Sequence, residues 1–178
     1  MTPPFSSRRP TAIIGLLITG FWVILAALGP LLAPHAETAA SLGMALDDMS
    51  RAAPLGTDYL GRDMLTRILY GARYTLGVAA IATVLACLAG TTLALCAATI
   101  GGWVDAGLSR LLDAMISLPS LLFALVVVAA IGSTIPVLIG TAAIIYLPGA
   151  YRTVRSLAVN IAAMEFVKVA RARGEGSL

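Results

Sequence analysis

The side chains of this 178-residue chain that could do chemistry are few, and their spacing excludes most of it. A loop that cradles nucleotide phosphates needs a lysine after a glycine-rich turn. The only lysine, Lys168, follows Val167, so ATP is not held that way. The only histidine, His35, has no second ligand or base at motif spacing and reads as a solvated loop residue. Neither a Gly-x-Ser-x-Gly elbow nor a His-Glu-x-x-His pair occurs, which removes the hydrolase readings. Cys87 and Cys96 stand about two and a half helical turns apart, beyond disulfide reach and too distant to share a metal. Both read as small lipid-facing or core residues. The expectation is a chain with no catalytic residue, no metal site and no cofactor, and not an enzyme.

Two groups of charged residues remain. Asp105, Arg110 and Asp113 fall at the inner ends of apolar runs rather than within them, where an unpaired charge would cost several kcal/mol and mark an ion path. Arg110 is three positions from Asp113 and five from Asp105, so local pairing at the interface is expected, with a gating role as the alternative. The second group lies in the tail, where Glu165, Lys168, Ala170 and Arg171 belong to a short helix-like run with small residues on one side. Gly174 closes it in a manner suited to a left-handed cap. Such a helix can insert like a knob into a groove of a partner; a solvated amphipathic helix on the membrane surface is the alternative.

The elements that must position these groups are membrane helices. Hydrophobic residues make up 59% of the chain and charged residues 12%, with a mean hydropathy of +0.93, whereas a soluble domain is about a quarter charged. From Tyr74 to Tyr151 the only charged residues are Asp105, Arg110 and Asp113. A bilayer core takes roughly 20 apolar residues per helix, so this stretch holds three spans. The net charge of +3, without a basic stripe interleaved with aromatics, argues against nucleic acid as a partner and leaves membrane lipid.

Along the chain, residues 1–10 carry Arg8 and Arg9 without an acidic residue and read as a cytoplasmic N-terminus. Residues 11–32 form the first transmembrane helix, being longer than the apolar region of a signal peptide. Residues 33–73 are an outer loop, acidic residues slightly outnumbering arginines. Leu60, Met64, Leu65, Ile68, Leu69 and Ala72 predict an amphipathic helix there, with Thr57 or Asp58 as N-cap and Asp63 with Arg67 as an i,i+4 pair. Residues 74–157 hold three further spans. The second runs over Thr75–Ile100 and stops at Gly101-Gly102, and the third runs from about Leu111 to Ile131, kinked or offset at Pro119. The fourth runs from about Val137 to Tyr151, reaching Leu157 if Arg152 and Arg155 snorkel to the headgroups. From Arg152 to the end five basic residues stand against two acidic ones, so residues 158–178 read as cytoplasmic, which agrees with Arg8 and Arg9 after four crossings.

These residues also carry a resemblance. The run Pro54-Leu55-Gly56-Thr57-Asp58-Tyr59-Leu60-Gly61-Arg62-Asp63 resembles the PLGTDxLGRD signature of permease subunits of the oligopeptide, dipeptide and nickel ABC importers, and Tyr70-Gly71-Ala72-Arg73 follows as in that family. Gly56, Thr57, Asp58, Gly61, Arg62 and Asp63 are its outer-loop signature residues. Gly101-Gly102, Asp105, Arg110, Asp113 and Pro119 are similar to the family's second cytoplasmic turn, and Pro148-Gly149, Tyr151-Arg152 and Val154-Arg155 to its fourth-span exit. The tail resembles the coupling loop that docks on the ATPase, although Lys168-Val169-Ala170 stands where the family has Glu-Ala-Ala.

The type resembled is the C-type permease. It implies an all-α polytopic membrane protein with four transmembrane helices of an expected six, an outer amphipathic helix and a cytoplasmic coupling helix, truncated after the coupling loop. The implied activity is that of a pathway-forming subunit for a short peptide, nickel complex or similar small solute, sited in the bacterial inner membrane. Its implied partners are a second permease subunit in a heterodimer, two ABC ATPase subunits and an extracytoplasmic solute-binding protein. The alternative is a truncated, non-transporting membrane remnant that only associates with a permease complex.

Overall fold

The structure, a computed structural model, describes residues 10–35, 44–162, 164, 165, 167, 169 and 173. Five helices follow one another: α1 (Pro10–Leu32), α2 (Met64–Ile100), α3 (Gly102–Ser117), α4 (Ser120–Ile131) and α5 (Ile135–Ala162). Among the described residues there is no named strand, only an isolated antiparallel bridge between Thr57 and Asp63. The chain divides into two compact units, Met1–Gly77 and Val78–Leu178, with α2 running through the division.

In the first unit, α1 is apolar around its whole circumference, with Leu16, Leu17, Phe21 and Ile24 all exposed. A helix without a polar face has no use for water on any side, which suits it to lipid. Its last turns approach α2 closely, since a Cβ on Gly29 would lie 2.8 Å from the Leu69 carbonyl oxygen. Residues 44–63 fold as a compact loop before α2.

The amphipathic helix and the second span are one helix of 37 residues, not two elements. No proline interrupts Met64–Ile100, and Gly71 and Gly77 lower helix propensity without breaking the ladder. The helix begins later than expected because Gly56 and Gly61, with φ of 76° and 71°, fold the preceding residues into turns.

In the second unit, α2 ends before Gly101 and Gly102, whose φ values of 67° and 55° separate it from α3. The third span was expected to run from about Leu111 to Ile131, kinked or offset at Pro119. Instead α3 begins at Gly102, and α4 leaves it at 86°. Pro119 does not kink a continuous ladder: Leu118 is extended (φ −83°, ψ 130°), as the residue before a proline tends to be. At Gly132 φ is 108°, and α5 starts at Ile135, so Pro136 lies in a first turn, where its missing N–H removes no helical bond.

Three described helices are long and apolar enough to cross a membrane alone, and the bent α3–α4 pair supplies a fourth crossing when counted as one broken span. The protein is therefore an all-helical polytopic membrane protein. The second unit is built around Tyr151, 1% exposed, packed with Ala94, Ala97 and Leu112. On the part of α2 in this unit, Ala82, Ala86, Gly90, Ala94 and Ala97 are the buried positions. Small residues at this spacing let helix backbones approach. A Cβ on Gly90 would come within 2.8 Å of the Ala150 Cβ and 2.9 Å of the Tyr151 nitrogen on α5.

Candidate functional site

The loop signature folds around two carboxylates. Asp58 accepts the backbone N–H groups of Leu60 (2.8 Å) and Arg62 (2.9 Å) and the Nε–H of Arg62 (3.1 Å). Hydrogen bonding from the Arg62 N–H is the main cause that holds its carboxyl below the ordinary carboxylate range; burial opposes it, and Leu60 and the Arg62 side chain assist. Thr57 ties this turn to the preceding segment: its hydroxyl donates to the Met44 carbonyl (2.7 Å) and accepts the Asp47 N–H (2.8 Å). Gly56 permits the approach, since a Cβ there would lie 2.7 Å from the Asp47 carbonyl oxygen.

Asp63 is the N-cap of α2. Its carboxylate accepts the N–H groups of Leu65 (3.3 Å) and Thr66 (3.0 Å) and the Thr66 hydroxyl. Neither Thr57 nor Asp58 caps the helix; both serve the turn before it. Burial works against the charge of Asp63, but hydrogen bonds from Thr66 and Leu65, with the His35 ring close by, outweigh it and hold the carboxyl low. The expected Asp63–Arg67 pair does not form, because the Asp63 oxygens are directed at the helix N-terminus; Arg67 instead lies 4.0 Å from Asp58. His35 is not a freely solvated loop residue. Its side chain is 25% exposed, and Nδ1 lies 3.5 Å from Asp63 Oδ2, at the outer edge of hydrogen-bond range.

The second constellation joins α3 to α5. Arg155 donates through Nε and Nη2 to the two oxygens of Asp105, at 2.5 and 2.6 Å. Ser109 and Tyr151 share a hydroxyl hydrogen bond of 3.0 Å. Arg152 donates to Asp113 Oδ1 at 2.6 and 3.2 Å. Asp105, Ser109 and Asp113 recur at intervals of four, hence on one face of α3, and Tyr151 and Arg155 share a face of α5 in the same way. The helices run antiparallel, so 105 meets 155 while 109 meets 151.

This corrects one expectation. Asp105 and Asp113 do not pair locally with Arg110, which is exposed and makes no ion pair among the described residues. Arg152 and Arg155 are held by Asp113 and Asp105. Residues four apart on a helix point the same way, so Asp105 and Asp113 could have been read as one face seeking cations elsewhere; their partners, 50 and 39 positions away, carry no local signal.

Of the tail residues, Glu165 is described and exposed; Lys168, Ala170, Arg171 and Gly174 lie outside the described residues. Local turns continue past α5, with the Val167 N–H on the Met164 carbonyl at 3.1 Å. Cys87 and Cys96 are both exposed on α2, and no cluster of metal-binding side chains occurs among the described residues.

Apolar helices fastened by buried small residues and by interhelical ion pairs define a multi-pass helical membrane protein. The chain belongs to the family of binding-protein-dependent transport system inner membrane components, whose model matches residues 88–178. Residues 7–54 match a second model, the N-terminal TM domain of oligopeptide transport permease C.

Among its relatives is a dipeptide transport system permease protein of Alkalihalophilus pseudofirmus, 37% identical over 167 residues, covering 94% of this chain and 55% of the relative. Its counterpart in Haemophilus influenzae is 31% identical, covering 94% of this chain and 59% of the relative. A glutathione transport system permease protein of Pectobacterium atrosepticum is 34% identical over 70% of this chain and 42% of the relative. The chain thus spans little more than half the length of the dipeptide permeases it matches.

Proposed function

We propose that this chain is a transmembrane permease subunit of an ABC importer, forming part of the pathway for a short peptide and driven by partner ATPases. The observation that carries the reading is the match of residues 88–178 to the transport-component family over the unit in which α3 and α5 are fastened together. The relatives named for dipeptide and glutathione transport favour a peptide over a nickel complex. The chain supplies no chemistry of its own. Its partners are a second permease, two ATPase subunits and an extracytoplasmic binding protein, in the bacterial inner membrane with the N-terminus cytoplasmic. Residues 158–178 are the coupling segment on this reading, and the turn at Gly56 to Asp63 shapes the outer face.

Assembly tests it. The chain, co-expressed with a second permease and an ATPase pair of a dipeptide importer, should co-purify with both in detergent. Gly174→Trp should lose the ATPases and keep the second permease. Retention of the ATPases by that variant would remove the coupling role of the tail, and no co-purification at all would contradict the permease reading.

A further inference from the structure

The α3–α5 contacts are bracketed by three interruptions of the helical backbone. Gly101-Gly102 precede α3 with positive φ. Extended Leu118 and Pro119 follow it. Pro148, buried inside α5, lacks the N–H that would bond the Ile144 carbonyl and so weakens the helix one turn before Tyr151. The fastened residues are 105, 109 and 113 on α3, between the first two of these points, and 151, 152 and 155 on α5, just beyond the third. Two of the three breaks, at Leu118-Pro119 and at Pro148, line one groove of about 370 Å³, with Phe123 and Tyr146. A body held by three polar contacts, and joined to its surroundings by backbone whose helical bonding is interrupted or weakened, can move as a piece; an open groove between two of its joints gives it room.

We infer that α3 and the part of α5 beyond Pro148 form one lever, and that Asp105 and Arg155 are the positioning residues that keep it rigid. Displacement of the chain after Ala162 is then delivered to the Leu118-Pro119 joint and to α4, instead of being absorbed by bending at Pro148. The inference rests on the permease reading for what pulls the lever, but not for its rigidity. The Asp105–Arg155 pair is the natural clamp because it is bidentate and its Arg155 and Asp105 side chains are only 34% and 24% exposed, whereas Arg152 and Asp113 are 55% and 57% exposed.

Two measurements test it. In the first, the purified chain carries Cys87→Ser and Cys96→Ser, with spin labels at Ala106→Cys on α3 and Leu157→Cys on α5. The label separation should be narrow, broaden with Asp105→Asn, and narrow again in the charge-swapped Asp105→Arg, Arg155→Asp double variant. An unchanged width in Asp105→Asn overturns the lever, whether or not the chain transports.

In the second, the assembled transporter is reconstituted in vesicles. Asp105→Asn should keep its ATPase partners and its ATP hydrolysis while solute moved per ATP falls about tenfold, a usual size for coupling between sites. The charge swap should recover most of that loss. A merely structural contact would lower assembly, hydrolysis and uptake together with their ratio unchanged, and that result also overturns the proposal. Failure of the unsubstituted chain to assemble would instead count against the permease reading, and the label distances would still decide the lever.

Discussion

The Arg155 guanidinium grips both oxygens of Asp105, closing a contact between residues fifty positions apart and fixing the end of α5 to the start of α3. The parallel pair of Arg152 and Asp113 is more exposed, and the two should differ when broken. Asp113→Ala should lower the thermal midpoint of the detergent-purified protein by an amount worth under about 1 kcal/mol, whereas Asp105→Ala, which strands a partly buried guanidinium, should cost about 2 to 3 kcal/mol. Equal shifts would show that burial does not distinguish the pairs.

Between these pairs, Tyr151→Phe removes a single hydroxyl from a residue 1% exposed, leaving Ser109 without its partner. The expected loss is about 1 kcal/mol. Tyr151→Ala should cost about 3 to 5 kcal/mol by emptying the core among Ala94, Ala97 and Leu112. Denaturation followed by tryptophan fluorescence would compare them, and similar losses would mean that the hydroxyl, not the ring, matters most.

Close packing of α2 on α5 makes Gly90 sensitive to one methyl group. Gly90→Ala should destabilise by about 1 to 3 kcal/mol, because its Cβ would meet α5 backbone at 2.9 to 3.0 Å. Gly77→Ala and Gly107→Ala, where nothing lies within 4 Å, should be neutral or stabilising and serve as controls. A harmless Gly90→Ala would show that the helices separate readily.

Acid should loosen the loop at residues 44–63. The Asp58 and Asp63 carboxyls are both held below the ordinary carboxylate value. A group whose folded pKa is depressed contributes stability that is complete above its unfolded pKa and is lost as pH falls through the folded one. Protease cleavage within the loop should therefore be slow and flat above about pH 5 and rise below about pH 4. In Asp63→Asn, whose amide oxygen can still cap the helix, the acid-dependent rise should shrink, whereas Asp63→Ala, which loses the cap, should cost about 1 kcal/mol at neutral pH. A loop equally resistant at pH 3 and pH 6 would contradict the assignment of these carboxylates.

The helical class was legible because nothing but membrane helices uses apolar runs such as Thr11–Leu32, and α1 ends at the Leu32 that the run predicts. The stop at Gly101-Gly102 and the break near Pro119 were legible too, since both residue types act through their own backbone. What escaped was non-local or depended on a turn. Asp63 could be recognised as N-cap only once Gly56 and Gly61 were known to fold the residues before it. Arg155 could not be matched to Asp105 from spacing, because antiparallel packing of α3 on α5 sets that register. His35 gave no sign of its approach to Asp63 across the loop.

The permease role itself is tested most directly by binding-protein-dependent uptake of a radiolabelled dipeptide into cells lacking their own C-type dipeptide permease and supplied with this chain, a second permease, the ATPase pair and the binding protein. Uptake that requires ATP hydrolysis and the binding protein, and that is lost when this chain is withheld, is the predicted result. Partner binding without any uptake above the strain lacking the chain would contradict it and leave a membrane subunit that associates but does not transport.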